Sequence, residues 1–436
     1  MEKETRKALY HTFGCKLNFA ETATVERLFE SRGIRTTDGR GEEPDIVVVN
    51  TCSVTEEADR KCRRAIRSFH KRWPGAAILV TGCYAQLKPA EAASLPGVAV
   101  VAGTNGKLEL LRYLDTWDGT GAVTVAPEAK TLREFMPSCS RGDRTRYFLK
   151  VQDGCDYWCT YCTIPIARGR SRSATIPELV ALAENVAAQG GKEIVLTGVN
   201  IGDFGKGRPD TFFDLVRALD EVEGIERYRI SSIEPNLLTD EIIDFTARSL
   251  RFMPHFHVPL QSGSDAVLAL MRRHYDTAFF RDKIARIREA VPDAFIGVDL
   301  MVGARGETRA EFEASKEFIA GLGVTHLHVF PYSERPGTRA LALDAEVVPQ
   351  DEKHRRAAEM IALSAGKHAA FARACLGSVR PVLLEHRAKA GKMLGFTDNY
   401  LRVEVDAAPG LDNTIVDVRL DALKDDGETI SGTIVS

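Results

Sequence analysis

The sequence predicts an α/β protein built in three parts, and three observations carry that expectation. Runs of β-branched residues alternate with helical stretches through the first 375 residues, the pattern of parallel strands joined by crossover helices. Cysteines stand just past the ends of several of those runs. After Gly377 the helices cease and short alternating strands separated by turn residues take over. The expected divisions are a doubly wound α/β domain over 1–125, a linker over 126–145, a partial (β/α)6 barrel over 146–375 and a small all-β barrel over 377–436. A chain of 436 residues is too long for one ordinary core, and its 44% hydrophobic content suffices for several.

In the first part, Ala8–Phe13, Asp45–Asn50, Ala77–Thr81 and Val98–Val101 read as strands. The run Asp45-Ile-Val-Val-Val-Asn50 suits a strand buried on both faces of a parallel sheet. Glu21–Arg32 carries Val25, Leu28 and Phe29 at helical spacing, and Glu56–Trp73 reads as a strongly basic helix. Ligands of such sheets gather beyond the carboxyl ends of the strands, and Cys15, Cys52 and Cys83 each fall there. One buried cysteine would mean little. Three at equivalent topological positions point to a metal cluster, and the glycine before Cys15 and Cys83 lets the backbone approach a bulky inorganic group.

Residues 126–145 lose periodicity, and strand–helix alternation then resumes with strands near 146–152, 193–197, 228–232, 255–260, 295–301 and 326–330. Six parallel strands with crossover helices describe a partial barrel, whose chemistry belongs at the strand C-termini. Gly198, Asn200, Glu234, Gln261 and Ser262 follow those ends and are candidate cofactor contacts. Residues 350–375 read as one long helix, and segments 380–384, 394–405, 414–418 and 432–435 as the strands of the final barrel.

The loop leaving the first barrel strand reads Gly154-Cys155-Asp-Tyr-Trp-Cys159-Thr-Tyr-Cys162. Structural zinc takes four protein ligands, and Cys139 is the only nearby candidate for a fourth. Iron–sulfur clusters are normally held by four cysteines, so a triplet fits a 4Fe-4S cluster with one iron open to a non-protein ligand. S-adenosylmethionine (SAM) suits that position: its amino and carboxylate groups chelate the iron, and one electron cleaves the sulfonium to a deoxyadenosyl radical. Such chemistry needs no side-chain acid, base or nucleophile, so no catalytic residue is expected beyond the metal ligands. These are Cys155, Cys159 and Cys162 for one cluster and Cys15, Cys52 and Cys83 for another. Cys62, Cys139 and Cys375 read as non-ligands. Cysteines used this way belong to a reducing, cytoplasmic compartment.

A net charge of −3 excludes a generally basic nucleic-acid binder, so RNA contact must rest on local patches. The densest is Arg60–Arg72, where Arg63, Arg64 and Arg67 are candidate phosphate contacts. A charge run on a helix is by default a solvated face, but this one follows the strand bearing Cys52. Arg168 and Arg170 beside the cysteine loop, and Arg387, Lys389 and Lys392 in the final barrel, are further candidates. No apolar stretch reaches membrane-spanning length, so a soluble protein without a membrane partner is expected.

Thr12-Phe-Gly-Cys15-Lys-Leu-Asn18, Asn50-Thr-Cys52-Ser-Val54 and Gly82-Cys83 resemble the N-terminal cluster motifs of the radical-SAM methylthiotransferases. Gly154–Cys162 with Thr163-Ile-Pro165 and Ala167-Arg-Gly169, and Pro259-Leu-Gln-Ser-Gly-Ser-Asp265, resemble the same family's central motifs, so the likeness spans nearly the whole chain. The last barrel is similar to the family's RNA-binding TRAM module. The resemblance implies two 4Fe-4S clusters and SAM in two roles, as radical source and methyl donor. It implies tRNA as partner, with hydrogen taken from C2 of adenine 37 in the anticodon loop and sulfur then methyl added there. A reducing electron donor and a sulfur donor are implied with it. The chemistry agrees, since an unactivated aromatic C–H offers no acidic proton and calls for a radical supplied by a cofactor.

Gly82-Cys83-Tyr-Ala-Gln86, Cys159–Arg168 and Leu196-Thr-Gly-Val-Asn200 are most similar to the branch acting on N6-threonylcarbamoyladenosine. The alternatives are N6-isopentenyladenosine-37, an aspartate of a ribosomal protein, or a non-catalytic iron–sulfur protein that binds RNA or carries sulfur. A threonylcarbamoyl carboxylate calls for a cation or several N–H donors, and Arg168 and Arg170 are expected to supply it. One departure stands out: Gly303-Ala-Arg-Gly-Glu307 occupies the place of the family's Gly-Phe-Pro-Gly-Glu.

Overall fold

The N-terminal strands assemble into a six-stranded, wholly parallel sheet. In chain order they are β1 (Lys7–Thr12), β2 (Arg35–Thr36), β3 (Ile46–Thr51), β4 (Ala77–Gly82), β5 (Val98–Ala102) and β6 (Val123–Val125). Their order across the sheet is β2-β1-β3-β4-β5-β6. The computed structural model describes residues 5–140 and 145–435, apart from the side chains of 386–389. Helix α1 (Lys16–Ser31) covers one face, where Val25 and Phe29 meet Ile46 and Val48. Helix α2 (Glu56–Arg72) covers the other, where Cys62 and Ile66 meet Val47 and Val49. Alternate residues of one β-branched run thus serve two cores. The chain reverses direction across the sheet between β1 and β3, so the ligand-binding crevice of a doubly wound sheet lies beyond their carboxyl ends.

Two corrections apply to this sheet: β2 and β6 extend the four expected strands to six. They are two and three residues long, too short to show a period. Residues 126–140 then cross toward the barrel with Ala129 and Leu132 buried, and Ser138–Cys139 pairs antiparallel to the first barrel strand.

The central barrel strands are Arg146–Lys150, Glu193–Thr197, Arg227–Ile230, His255–His257, Phe295–Val302 and His326–Pro331. Neighbours pair in parallel, and a bridge between Ser232 and His257 joins the two halves. First and last strands do not pair, so the barrel is open on one side. Helix Gln350–Ala374 packs on the last strand, where the Leu327 N–H donates to Ser364 Oγ at 2.9 Å. Gly303 and Gly306 take φ of 73° and 80°, and Arg356 holds Glu307 at 2.7 Å. The departure at 303–307 is therefore closed by its glycines and its glutamate.

The C-terminal strands close into a five-stranded barrel. The segment 394–405 is not one strand, as expected, but two, Lys392–Thr397 and Arg402–Asp406. A turn parts them in which Tyr400 takes φ 69° and the Leu401 N–H donates to Thr397 Oγ1 at 2.8 Å. This barrel docks at the N-terminal ends of the central strands. There Arg227 donates to Pro381 O (2.8 Å) and Phe396 O (3.0 Å), and Arg229 to Thr397 O (2.9 Å) and Asp398 O (2.7 Å). Among the described residues no helix is long and apolar enough to cross a membrane.

Candidate active site

The cysteine loop leaves the first barrel strand and turns at Gly154, where φ is 71° and a Cβ would stand 2.1 Å from the Arg170 carbonyl oxygen. Only glycine fits. Cys159 is buried, and Cys155 and Cys162 are half-buried. Each sulfur meets one N–H: Tyr157 N–H donates to Cys155 Sγ (3.4 Å), Ile164 N–H to Cys162 Sγ (3.4 Å), and Arg273 Nη1 to Cys159 Sγ (3.2 Å). Burial pushes the Cys155 thiol up to about 12 and raises those of Cys159 and Cys162, against which Arg273 pulls. Thiolates here need positive charge brought in with them.

Arg273 escapes sequence reasoning. It follows helix Asp265–Met271 and the left-handed Arg272 (φ 56°), and nothing marks the Arg-Arg-His-Tyr run as more than a helix end. In the fold its buried guanidinium joins Cys159, the Tyr161 hydroxyl (3.3 Å) and the Glu234 carboxylate. That places Glu234 beside the cysteine loop. Gln152 ties in the loop with Gly198 and Asn200: its Oε1 accepts from the Val199 and Asn200 N–H groups at 3.0 and 2.8 Å, and its Nε2 donates to Gly154 O at 2.7 Å. Both side-chain amide atoms of Asn200 are buried with no partner among the described residues, a vacancy a ligand would satisfy. Gln261 takes φ 68°, and Ser262 is buried with its Oγ accepting from the Ser264 N–H at 3.2 Å. No hydrogen bond joins either to the cysteine loop among the described residues.

The second triplet is assembled by the sheet. Cys15, Cys52 and Cys83 lie just beyond β1, β3 and β4, three adjacent strands. Gly14 has φ +95°, and a Cβ on it would stand 2.9 Å from Cys52 Cβ and 3.1 Å from its sulfur. Asn18 Nδ2 donates to Phe13 O (2.8 Å) and Thr51 O (3.1 Å), tying the Cys15 loop to the Cys52 loop. Cys15 is exposed, Cys52 half-buried and Cys83 buried. Burial and the neighbouring Cys83 and Cys15 push Cys52 up to about 12; burial raises Cys83, while Arg168 and Lys107 pull it down. Cys62 is also buried beside them, but its thiol lies against the Cys52 carbonyl at 3.6 Å.

Between the two sets lies a buried ionic hub. Glu21 of α1 meets Lys150 (2.7 Å), Arg168 (3.1 Å) and Lys107, and Asp153 meets Lys150, Arg168 and Arg172, each at 2.9 Å. Arg168 Nη2 also donates to Asn18 Oδ1 at 2.7 Å. Four cations face two carboxylates, leaving positive charge toward Cys83. A second tie joins Arg335, past the last barrel strand, to Asp59 (2.6 Å) and Ser53 (2.8 Å) beside Cys52. The hub corrects the expectation that Arg168 faces substrate: it is buried and its guanidinium is taken by Glu21, Asp153 and Asn18.

The other basic candidates separate as well. Arg63 is bound to Glu56 (3.0 Å) and Glu91 (2.9 Å), and Lys392 to Asp406 at 2.5 Å. Arg64, Arg67 and Arg170 are exposed and form no ion pair among the described residues. The side chains of Arg387 and Lys389 lie outside the described residues.

Residues 7–103 match the model of the uncharacterized protein family UPF0004, and residues 149–319 that of the radical SAM superfamily. The threonylcarbamoyladenosine tRNA methylthiotransferase MtaB of Bacillus subtilis (strain 168) is 38% identical, over 94% of this chain and 93% of that protein. The chain belongs to the radical-SAM methylthiotransferase family. A tRNA-2-methylthio-N(6)-dimethylallyladenosine synthase of Sphingopyxis alaskensis is 33% identical, over 96% of each chain. The solved structure of the radical SAM methyltransferase TsrM from Kitasatospora setae shares the fold, with TM-score 0.57 at 15% identity, covering 89% of this chain and 80% of that one. A radical-SAM methylthiotransferase uses a 4Fe-4S cluster and SAM, and the residues present fit them. No three His, Cys, Asp or Glu among the described residues are placed to hold a single metal ion. A cluster takes one thiolate per iron and asks for no such convergence. The cations around Cys83 and Cys159 and the unpartnered amide of Asn200 match what the two groups would need.

Proposed function

We propose that this chain transfers a methylthio group to C2 of N6-threonylcarbamoyladenosine at position 37 of tRNA. The observation that carries the reading is the full-length 38% identity to the Bacillus subtilis protein of that named activity, against 33% for the dimethylallyladenosine synthase. The site supports it with two thiol triplets on either side of one ionic hub.

In this reading Cys155, Cys159 and Cys162 hold one 4Fe-4S cluster and its SAM, and Cys15, Cys52 and Cys83 hold a second. When bound, these groups supply the deoxyadenosyl radical and the sulfur and methyl that C2 receives. Arg273 offsets the thiolate charge at Cys159 and fixes Glu234, while Asn200 offers its free amide to SAM. The hub joins α1 to the start of the cysteine loop, so the two triplets keep one spacing from turnover to turnover. Arg64, Arg67 and Arg170 are the proposed phosphate contacts. The final barrel, with Arg387, Lys389 and Lys392, is proposed to grip RNA shape and backbone. An external electron donor and a sulfur donor complete the cycle, which belongs in the cytoplasm.

The test offers the reconstituted protein, with SAM, reductant and sulfide, tRNA bearing either modification and analyses the nucleosides by mass spectrometry. The expected product is methylthiolated threonylcarbamoyladenosine. Product from isopentenyladenosine alone would move the assignment to that branch, and no tRNA product despite SAM cleavage would remove tRNA as substrate.

A further inference from the structure

We infer that Phe330, in the mouth of the central barrel, is the surface on which the target adenine stacks, a positioning role that rests on the substrate proposed above. Phe330 lies on the last barrel strand, whose Leu327 and Val329 turn to the helix-facing core. Side chains alternate along a strand, so His326, His328 and Phe330 share the face turned into the barrel. His328 stacks there on His257, with ring centroids 5.0 Å apart.

The far side of the barrel is filled. On the first two strands the inward Phe148 and Val195 are buried against Phe19 and Ala20 of α1. On the last strand Phe330 is 47% exposed and His328 is exposed too, although both face the interior. A single exposed apolar residue on an outer surface is ordinary. A half-exposed phenyl ring inside a barrel mouth instead lacks the burial that a flat partner would restore.

Its neighbours place the ring between the two triplets. Phe330 is in register with Met301 on the adjacent strand, and Met301 and Tyr161 of the cysteine loop pack against one cluster of Val267, Met271 and Ala304. In the other direction, Ser333 Oγ accepts from the Glu56 N–H at 3.2 Å, and Arg335 donates to Ser53 at 2.8 Å, beside Cys52. Val54 follows Ser53 and is 58% exposed, a second apolar surface at the same junction.

A stacking platform suits the chemistry. C2 lies on the edge of the purine between N1 and N3, so groups gripping that edge would obstruct the atom that reacts. Stacking holds the base by its face and leaves the edge open to both triplets. It also reads the purine rather than the N6 substituent.

The test measures the affinity of the reconstituted protein for an anticodon stem-loop carrying threonylcarbamoyladenosine at position 37 and for the same stem-loop made abasic there. The native chain should prefer the base by about 5- to 150-fold, the range of one base–aromatic stack. Phe330→Leu should bring the two within about threefold, and Phe330→Tyr should keep most of the preference. The ratio is internal to each variant, so a general loss lowers both affinities and leaves it readable; iron content reports misfolding separately. SAM cleavage without RNA gives each variant's KM for SAM and tells whether the ring serves the adenine of SAM instead. Equal native affinities, a native ratio kept by Phe330→Leu, or a KM for SAM raised about tenfold or more in that variant would each overturn the assignment, while methylthiolation by the native chain would still uphold the proposed function. Absence of reaction with threonylcarbamoyladenosine by the native chain would instead remove the proposed function.

Discussion

The two cysteine triplets are assembled by different routes. Cys155, Cys159 and Cys162 lie on one loop, and two of their sulfurs are served by N–H groups of that loop. Cys15, Cys52 and Cys83 are scattered across the first part of the chain and meet only because β1, β3 and β4 are neighbours in the sheet. The first geometry is local. The second depends on Gly14, on Asn18 bridging two loops, and on a hub that joins Glu21 of α1 to Lys150 of the barrel and Arg168 beyond the cysteine loop. A distant substitution should therefore disturb the second set before the first.

Glu21→Gln should break this contrast most forcefully. It takes from buried Lys107 the carboxylate it pairs with and leaves Lys150 and Arg168 with Asp153, and stripping one partner from a buried ion pair costs about 3–5 kcal/mol. Denaturant titration should record that loss, and iron should leave the second triplet first. A change below about 1 kcal/mol, the size of an exposed pair, would show that the hub does not carry the junction.

Arg273→Gln sharpens the comparison from the other side. It removes the cation beside Cys159 and frees Glu234, so reductive SAM cleavage should fall about 10- to 100-fold, as for loss of a charged hydrogen bond. Iron in the second triplet should be unchanged; equal loss from both sets would contradict separate support.

Acid should act through the same hub. Burial alone would raise Glu21 and Asp153, but Arg168, Lys107 and Lys150 around the first, and Lys150, Arg168 and Arg172 around the second, hold both below the ordinary carboxylate range. Their contribution is fully present above the ordinary values of 4.5 and 3.8 and is lost as pH falls below them toward the folded values. The native chain's denaturant midpoint should therefore drop below pH 4.5, and that of Glu21→Gln should drop less. Parallel curves would exclude Glu21 as a source.

The smallest effects belong to the exposed cations of α2. Arg64→Gln and Arg67→Gln should each weaken tRNA binding by a few fold and lower the salt slope by about 1, with no effect on either cluster. Unchanged slopes would place the RNA elsewhere.

Much of this was legible in the sequence because its signals are local or periodic. The C-x3-C-x2-C spacing announces the first triplet, and the β-branched runs before Cys52 and Cys83 place two members of the second. β2 and β6 are too short to carry a period, and the turn at Asp398–Tyr400 hides inside an alternating segment because no glycine or proline marks it. Pairings are the least legible. Arg168 reads as a free cation beside the loop, yet its partner Glu21 lies 147 residues away and sits on what reads as an ordinary amphipathic helix. Arg273 is hidden for the same reason, because Cys159 stands 114 residues before it.

The most direct measurement replaces each triplet with alanine and records iron, SAM cleavage and tRNA product. With Cys155, Cys159 and Cys162 replaced, about half of the iron should remain and reductive SAM cleavage should vanish. With Cys15, Cys52 and Cys83 replaced, about half should remain, SAM cleavage should persist, and methylthiolation should stop. Loss of all iron from either variant, or SAM cleavage surviving the first replacement, would contradict two separate sites with divided roles.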